Sequence, residues 1–162
     1  MIITRTEAIV LSSFVKMLNL DDTEAATLTE RALAEFGKSV KKQEQRNRYL
    51  RRYLSLKFSC YTNQYLKTFL KKQFDIELEI TGVQVELYIC PCCGYKTLEK
   101  KSEYFICAVC FWEDDGTTED GKYSNVNRMT LNDAKTNFLK LGAVTESSLE
   151  FLDVDRFIQY DK

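Results

Sequence analysis

Two Cys-x-x-Cys pairs, Cys90-Pro-Cys-Cys93 and Cys107-Ala-Val-Cys110, stand thirteen residues apart in a chain that contains no histidine. This is the spacing of a four-thiolate metal site, in which each turn supplies two sulfur donors at about 2.3 Å from a tetrahedral ion. Pro91 presets φ at the first inner position of the first turn, and Gly94, just past its second thiol, can take the positive φ that such a turn needs. Lys96-Thr-Leu-Glu and Glu103-Tyr-Phe-Ile read as two short strands around Lys100-Lys101-Ser102. The expected unit is a zinc ribbon holding one structural Zn2+ through Cys90, Cys93, Cys107 and Cys110.

Two other uses of the cysteines are weaker. The chain has six cysteines but no leader-like segment and no apolar run long enough for export or anchoring. A reducing, cytoplasmic setting with no membrane association is therefore the expectation, and a disulfide framework is not. A rubredoxin-type iron site would use the same four thiolates, yet the second pair lacks the following glycine and the gap between pairs is short. Cys92 lies inside the first pair, where it can replace a neighbour as ligand or remain a thiol acidified by the metal; its plain reading is a spare small residue pointing outward. No role is legible for Cys60.

The run Ile89-Cys-Pro-Cys-Cys-Gly-Tyr95, followed by Ile106-Cys-Ala-Val-Cys-Phe-Trp-Glu-Asp-Asp-Gly116, resembles the bacterial cysteine-rich CPCC family. The likeness continues through Asn125, Asn127 and Leu131 to Ala143, so it spans roughly residues 88 to 143. Ala108 stands where that family usually carries a second proline, which leaves the thiols untouched and loosens the second turn. The resemblance implies a small bacterial protein without established catalytic activity. It also implies an association with secreted polymorphic toxins, as a candidate immunity protein.

The rest of the chain reads as α+β: an N-terminal helical bundle, then a β-hairpin and the ribbon with a C-terminal helix. Residues 5 to 19 place Ile9, Val10, Phe14, Val15 and Leu18 at helical spacing, and Asp21 or Asp22 caps a second helix that Gly37 ends. From about Ser39 to Gln73, the residues Leu50, Leu54, Phe58, Tyr61, Tyr65 and Phe69 recur every three or four positions. They predict one long helix, or two with a break near Ser59. After Asp75 the period becomes two: Ile76, Leu78 and Ile80, a turn at Thr81-Gly82, then Val83, Val85, Leu87 and Ile89, which together read as the hairpin. Thr130 and Asp133 form a capping box opening a helix over 131 to 141, and Gly142 ends it. Composition and period both change near Phe74, so the expected division is 1–73 and 74–162.

Charge is unevenly placed. Residues 38 to 72 carry eleven Lys or Arg and one acid, Glu44, although the whole chain has a net charge of −1. The basic segment, with Arg46, Arg48, Arg51, Arg52 and Lys57 beside Tyr49, Tyr53 and Tyr61, can neutralise phosphates and stack bases, or can meet an acidic protein. Its plain reading is a solvated helix face whose tyrosines edge the core. The acidic loop Trp112-Glu113-Asp114-Asp115 suits a basic cleft on a partner, with Trp112 as an aromatic anchor. Its plain reading is Trp112 buried as a lid on the ribbon with the acids in water. The order of the acids matches no EF-hand loop.

Catalysis is not expected. With no histidine a general base would have to be a carboxylate, lysine or cysteine, and a four-thiolate zinc has no open position for water. No phosphate-cradling glycine loop and no nucleophile elbow occur. The expectation is a non-enzymatic, zinc-stabilised protein-binding protein, an immunity protein that occludes a cognate secreted toxin. Arg48, Arg51, Arg52 and Trp112 to Asp115 are the expected contact residues. The alternative is a nucleic-acid-binding zinc-ribbon protein using the basic helix 38–72.

Overall fold

The structure, a computed structural model, describes residues 1–162. The chain is α+β, and it divides into two compact units, Met1–Val85 and Glu86–Lys162. No helix is long and apolar enough to cross a membrane.

The first unit opens with β1 (Ile2–Thr4), followed by α1 (Arg5–Leu18), α2 (Asp22–Glu35), α3 (Gln43–Ser59) and α4 (Asn63–Phe74), and closes with β2 (Glu79–Thr81). Local chemistry sets the helix ends. Thr4 and Asp21 cap α1 and α2 in reciprocal boxes with Glu7 and Glu24, so that two otherwise orphaned amide donors are satisfied at each start. The expected break near Ser59 occurs: α3 stops at Cys60, and Thr62 restarts the helix by accepting a hydrogen bond from the Tyr65 amide at 3.0 Å.

Helix α1 packs on α3 and α4, and α2 packs on α3. Leu50, Leu54, Phe58, Tyr61, Tyr65, Leu66 and Leu70 form the buried stripe of α3 and α4, with Phe58, Tyr61, Tyr65 and Phe69 in ring contact. In α1 the apolar pattern divides between two faces. Ala8, Ser12 and Val15 face the core, whereas Val10, Phe14 and Leu18 are 55%, 44% and 65% exposed. Of the apolar residues at helical spacing, Val15 is enclosed, and beside it the small Ala8 and Ser12 fit where α1 packs on its neighbours.

The break between α3 and α4 is held by a buried arginine. Arg5 donates to the carbonyls of Ser59 and Tyr61 at 2.7 and 2.8 Å and to Asn63 Oδ1, and Asn63 in turn donates to the Gly82 carbonyl. The cation thus satisfies carbonyls that the end of α3 leaves without intrahelical partners, at the negative end of the helix dipole. Arg5→Ala is expected to cost about 2–3 kcal/mol, the cost of leaving these acceptors unpaired, read as a lowered urea midpoint of the helical signal. A midpoint equal to that of the wild type would show that solvent replaces the guanidinium without loss.

The expected hairpin over residues 76 to 89 does not form. β2 pairs instead with β1, in parallel, with Ile2 opposite Glu79, Ile3 opposite Ile80 and Thr4 opposite Thr81. Leu78 is buried as the alternation requires, but Val83 and Val85 are 94% and 51% exposed. Period-two alternation gives a strand its faces without naming its partner. Here the partner is the strand at the far end of the same unit. Because β2 is tied to β1, the division of the chain falls after Val85 and not at Phe74.

The second unit contains β3 (Tyr88–Ile89), β4 (Lys96–Leu98), β5 (Tyr123–Ser124), β6 (Met129–Thr130) and α5 (Leu131–Leu141), then a 3-10 helix (Glu146–Phe151) and a final turn, α6 (Arg156–Gln159). β4 forms where expected, but its antiparallel partner is β3, across the first cysteine turn. Residues 103 to 106 form no strand; Ile106 makes one bridge with Glu113 across the second turn. The strands bracket each turn and do not pair between the turns. The box of Thr130 and Asp133 opens α5, and Gly142 at φ 75° ends it, as the sequence predicts.

Candidate metal centre

The two cysteine turns are built alike. In the first, the Gly94 amide donates to the Cys90 carbonyl at 3.0 Å and the Cys90 amide to the Tyr95 carbonyl at 2.8 Å. In the second, the Phe111 amide donates to the Cys107 carbonyl at 2.9 Å and the Cys107 amide to the Trp112 carbonyl at 2.8 Å. Gly94 and Phe111 occupy the same left-handed position, with φ of 79° and 71°. The missing glycine of the second turn therefore does not change its geometry. Phe111 adopts a conformation unfavourable for a bulky residue, and its ring stacks on Phe151 at 5.3 Å.

These turns bring Cys90, Cys93, Cys107 and Cys110 together. All four are buried, and their sulfurs lie within 4.8 Å of one another. The closest cross-turn pairs are Cys93 with Cys107 at 3.5 Å and Cys90 with Cys110 at 3.7 Å. Those separations are far too long for disulfides, and all six cysteines are free thiols. They match the edge of a tetrahedron with arms of 2.3 Å, about 3.8 Å. Four buried sulfurs with no nitrogen or oxygen donor among them fit one soft or borderline ion in a closed shell.

The sulfurs are electrostatically unequal. Burial works to raise the Cys107 thiol, but donation from Cys110, Cys90, Cys93 and Thr97 outweighs it and holds Cys107 well below the ordinary thiol value. Cys90 is pushed up, first by its contact with Cys107, and Cys110 is pushed up by burial and by the neighbouring thiols. Thr97 donates its hydroxyl to Cys107 Sγ at 3.0 Å, and the Val109 and Cys110 amides approach the same sulfur at 3.4 Å. Thr97 is not among the residues expected from the sequence. Its only signal was its place on a strand directly after the first turn. Cys92 lies outside the four-sulfur cluster but is buried, 6% exposed, which corrects its reading as an outward-pointing residue.

The expected partner loop is largely internal. Trp112 is 0% exposed, which corrects its reading as a surface anchor and leaves it as an apolar lid over the second turn. Its indole nitrogen has no hydrogen-bond partner. Asp114 is 4% exposed and accepts from the Ser102 amide at 2.7 Å, closing the segment between the turns. Asp115 accepts from the Thr117 amide at 3.0 Å and the Ser124 hydroxyl at 2.8 Å. Burial opposes its charged form, but donation from Ser124 and Thr117 prevails and holds its carboxyl below the usual range. Glu113 is fixed through its backbone: Asn127 accepts from its amide at 2.9 Å and donates to its carbonyl at 2.8 Å. Of the four residues, Glu113 and Asp115 remain partly exposed.

On the first unit, Arg48, Arg51 and Arg52 are exposed on α3. Arg46 pairs with Glu30 at 2.6 Å, and Arg52 lies over the Phe36 ring at 4.6 Å. The expected stacking tyrosines are not free. Tyr61 is buried, Tyr49 packs on Phe36, and the Tyr53 ring lies under Lys57. Tyr49 and Tyr53 stay half-exposed beside the guanidinium groups, whereas Tyr61 is withdrawn into the core.

The C-terminal elements are tied to the second turn. The Val144 amide donates to the Cys110 carbonyl at 2.8 Å, and Arg156 Nε donates to the Val109 carbonyl at 3.1 Å. Residues 88–155 match the family model described as cysteine-rich CPCC, a match that runs past α5 and through the 3-10 helix. No curated protein and no solved structure matches the chain.

Proposed function

We propose that this protein, in which residues 88–155 form a cysteine-rich CPCC domain, is a zinc-stabilised, non-enzymatic protein that works by binding another protein. In this reading it is the cytoplasmic immunity partner of a secreted bacterial toxin. The closed set of four buried sulfurs carries the structural half of the proposal, since a four-thiolate zinc keeps no position for water or substrate. Zinc suits the site because it accepts four thiolates tetrahedrally and is redox-inert.

The binding half is supported by the first unit, which carries fourteen Lys or Arg against ten Asp or Glu. Arg48, Arg51 and Arg52 project from a rigid helix, and no carboxylate forms an ion pair with them. Such a surface accelerates encounter with an acidic partner and sets register by bidentate pairing with carboxylates. Occlusion of a toxin's active site needs no chemistry from the binder. The burial of Tyr61 and the ring contacts of Tyr49 and Tyr53 weigh against base stacking and so against the nucleic-acid reading.

The test is co-expression with the product of the adjacent open reading frame, scored as survival. Rescue by the wild type, with an association rate lowered at least tenfold in the Arg48→Ala, Arg51→Ala, Arg52→Ala variant and by added salt, is the expected result. No rescue, together with no toxin-like protein retained on the immobilised chain, would remove the immunity reading. Salt-sensitive binding to generic duplex DNA at low ionic strength would favour nucleic acid instead.

A further inference from the structure

We propose that Thr97 is a positioning residue for the metal, fixing Cys107 as the most firmly oriented of the four sulfur ligands. This rests on reading the four cysteines as a metal site.

Thr97 sits at the centre of β4, on the strand that leaves the first cysteine turn, and it is 9% exposed between outward Lys96 and fully buried Leu98. Its hydroxyl does not serve the turn it follows. It donates at 3.0 Å to Cys107, a ligand from the other turn. The Val109 and Cys110 amides reach the same sulfur at 3.4 Å, so three donors besides the neighbouring cysteine sulfurs converge on Cys107. Two of them belong to the ligand's own turn and follow from its backbone. Apart from the cysteine sulfurs themselves, Thr97 is the one donor that crosses from one half of the site to the other.

The physical consequence is specific. A hydrogen bond to a metal-bound thiolate withdraws charge from sulfur and fixes the direction of its lone pairs, as outer partners of metal ligands generally do. Threonine suits the role because its branched Cβ restricts χ1, so the hydroxyl is aimed before the ion arrives. Removing it leaves a sulfur that is more electron-rich and less constrained.

The experiment loads the full-length chain with Co2+ alone, which reports thiolate ligation by its sulfur-to-metal charge-transfer absorption. Thr97→Val keeps the shape and removes the hydroxyl, and Thr97→Ser keeps the hydroxyl. The expected results are a shift of the charge-transfer band to longer wavelength in Thr97→Val, return to the wild-type position in Thr97→Ser, and about 10- to 100-fold faster transfer of cobalt from Thr97→Val to a competing chelator. Should Thr97→Val not fold, Thr97→Ala is expected to show the same shift. A spectrum and release rate equal to those of the wild type in the variant lacking the hydroxyl would overturn the role of Thr97 while leaving the metal site intact. A wild-type chain that takes up no cobalt would overturn both.

Discussion

Cys107→Ser is expected to abolish stoichiometric zinc binding and to unfold the second unit, while the helices of the first unit persist. The energetic reason is size. Apparent zinc-binding free energies of four-ligand structural sites are about 10–16 kcal/mol, comparable with or larger than the stability of an ordinary domain. The second unit has little to replace it. Its strands are two or three residues long, and its one long helix, α5, buries only Leu131 and Ala134 fully. Metal analysis should read one zinc per wild-type chain and none per variant, with protease cleavage confined to residues beyond Val85. Cys92→Ser should keep one zinc, because Cys92 lies outside the cluster. Full zinc retention in Cys107→Ser would show that the ligand set is wrong.

Trp112→Ala carries the second largest expected effect, a loss of about 3–5 kcal/mol from the second unit. Trp112 is the largest fully buried side chain in the protein, and its carbonyl closes the second cysteine turn. The backbone bond survives the substitution, so the loss comes from the cavity. The indole nitrogen adds a contrast, since burying a donor without an acceptor is itself costly. Trp112→Phe removes that donor along with part of the volume, and should cost clearly less than Trp112→Ala. A denaturation midpoint unchanged in Trp112→Ala would return Trp112 to the surface role that the sequence allowed.

The reach of the sequence reading follows the range of the interactions involved. Helix starts at Thr4, Asp21 and Thr130 depend on residues three positions apart, and all are present as boxes. The break between α3 and α4 was visible as an interruption of an apolar period. The apolar residues of α1 surround the helix, so their spacing predicts the helix but not its buried face, which packing against α3 and α4 decides. The hairpin failed for a related reason: alternating residues are ready to pair, but the competing strand lies more than seventy residues away. Within the candidate site, the four thiols were legible by spacing. Thr97 was not, and Asp114 and Asn127, although named from the sequence, could not be given their bonding roles, because the partners concerned lie ten or more positions away in the chain.

By itself, the sequence determined the four-sulfur donor set. Two Cys-x-x-Cys turns at this separation, in a chain without histidine, specify a thiolate shell, because each turn is a local structure whose donors are two residues apart from one another. Only the tertiary structure decided which groups face outward. It placed Trp112 and Asp114 inside, left Arg48, Arg51 and Arg52 exposed, and turned the Thr97 hydroxyl toward a sulfur of the opposite turn. Exposure is a property of what packs against a residue, and for these residues the packing comes from segments distant in the chain.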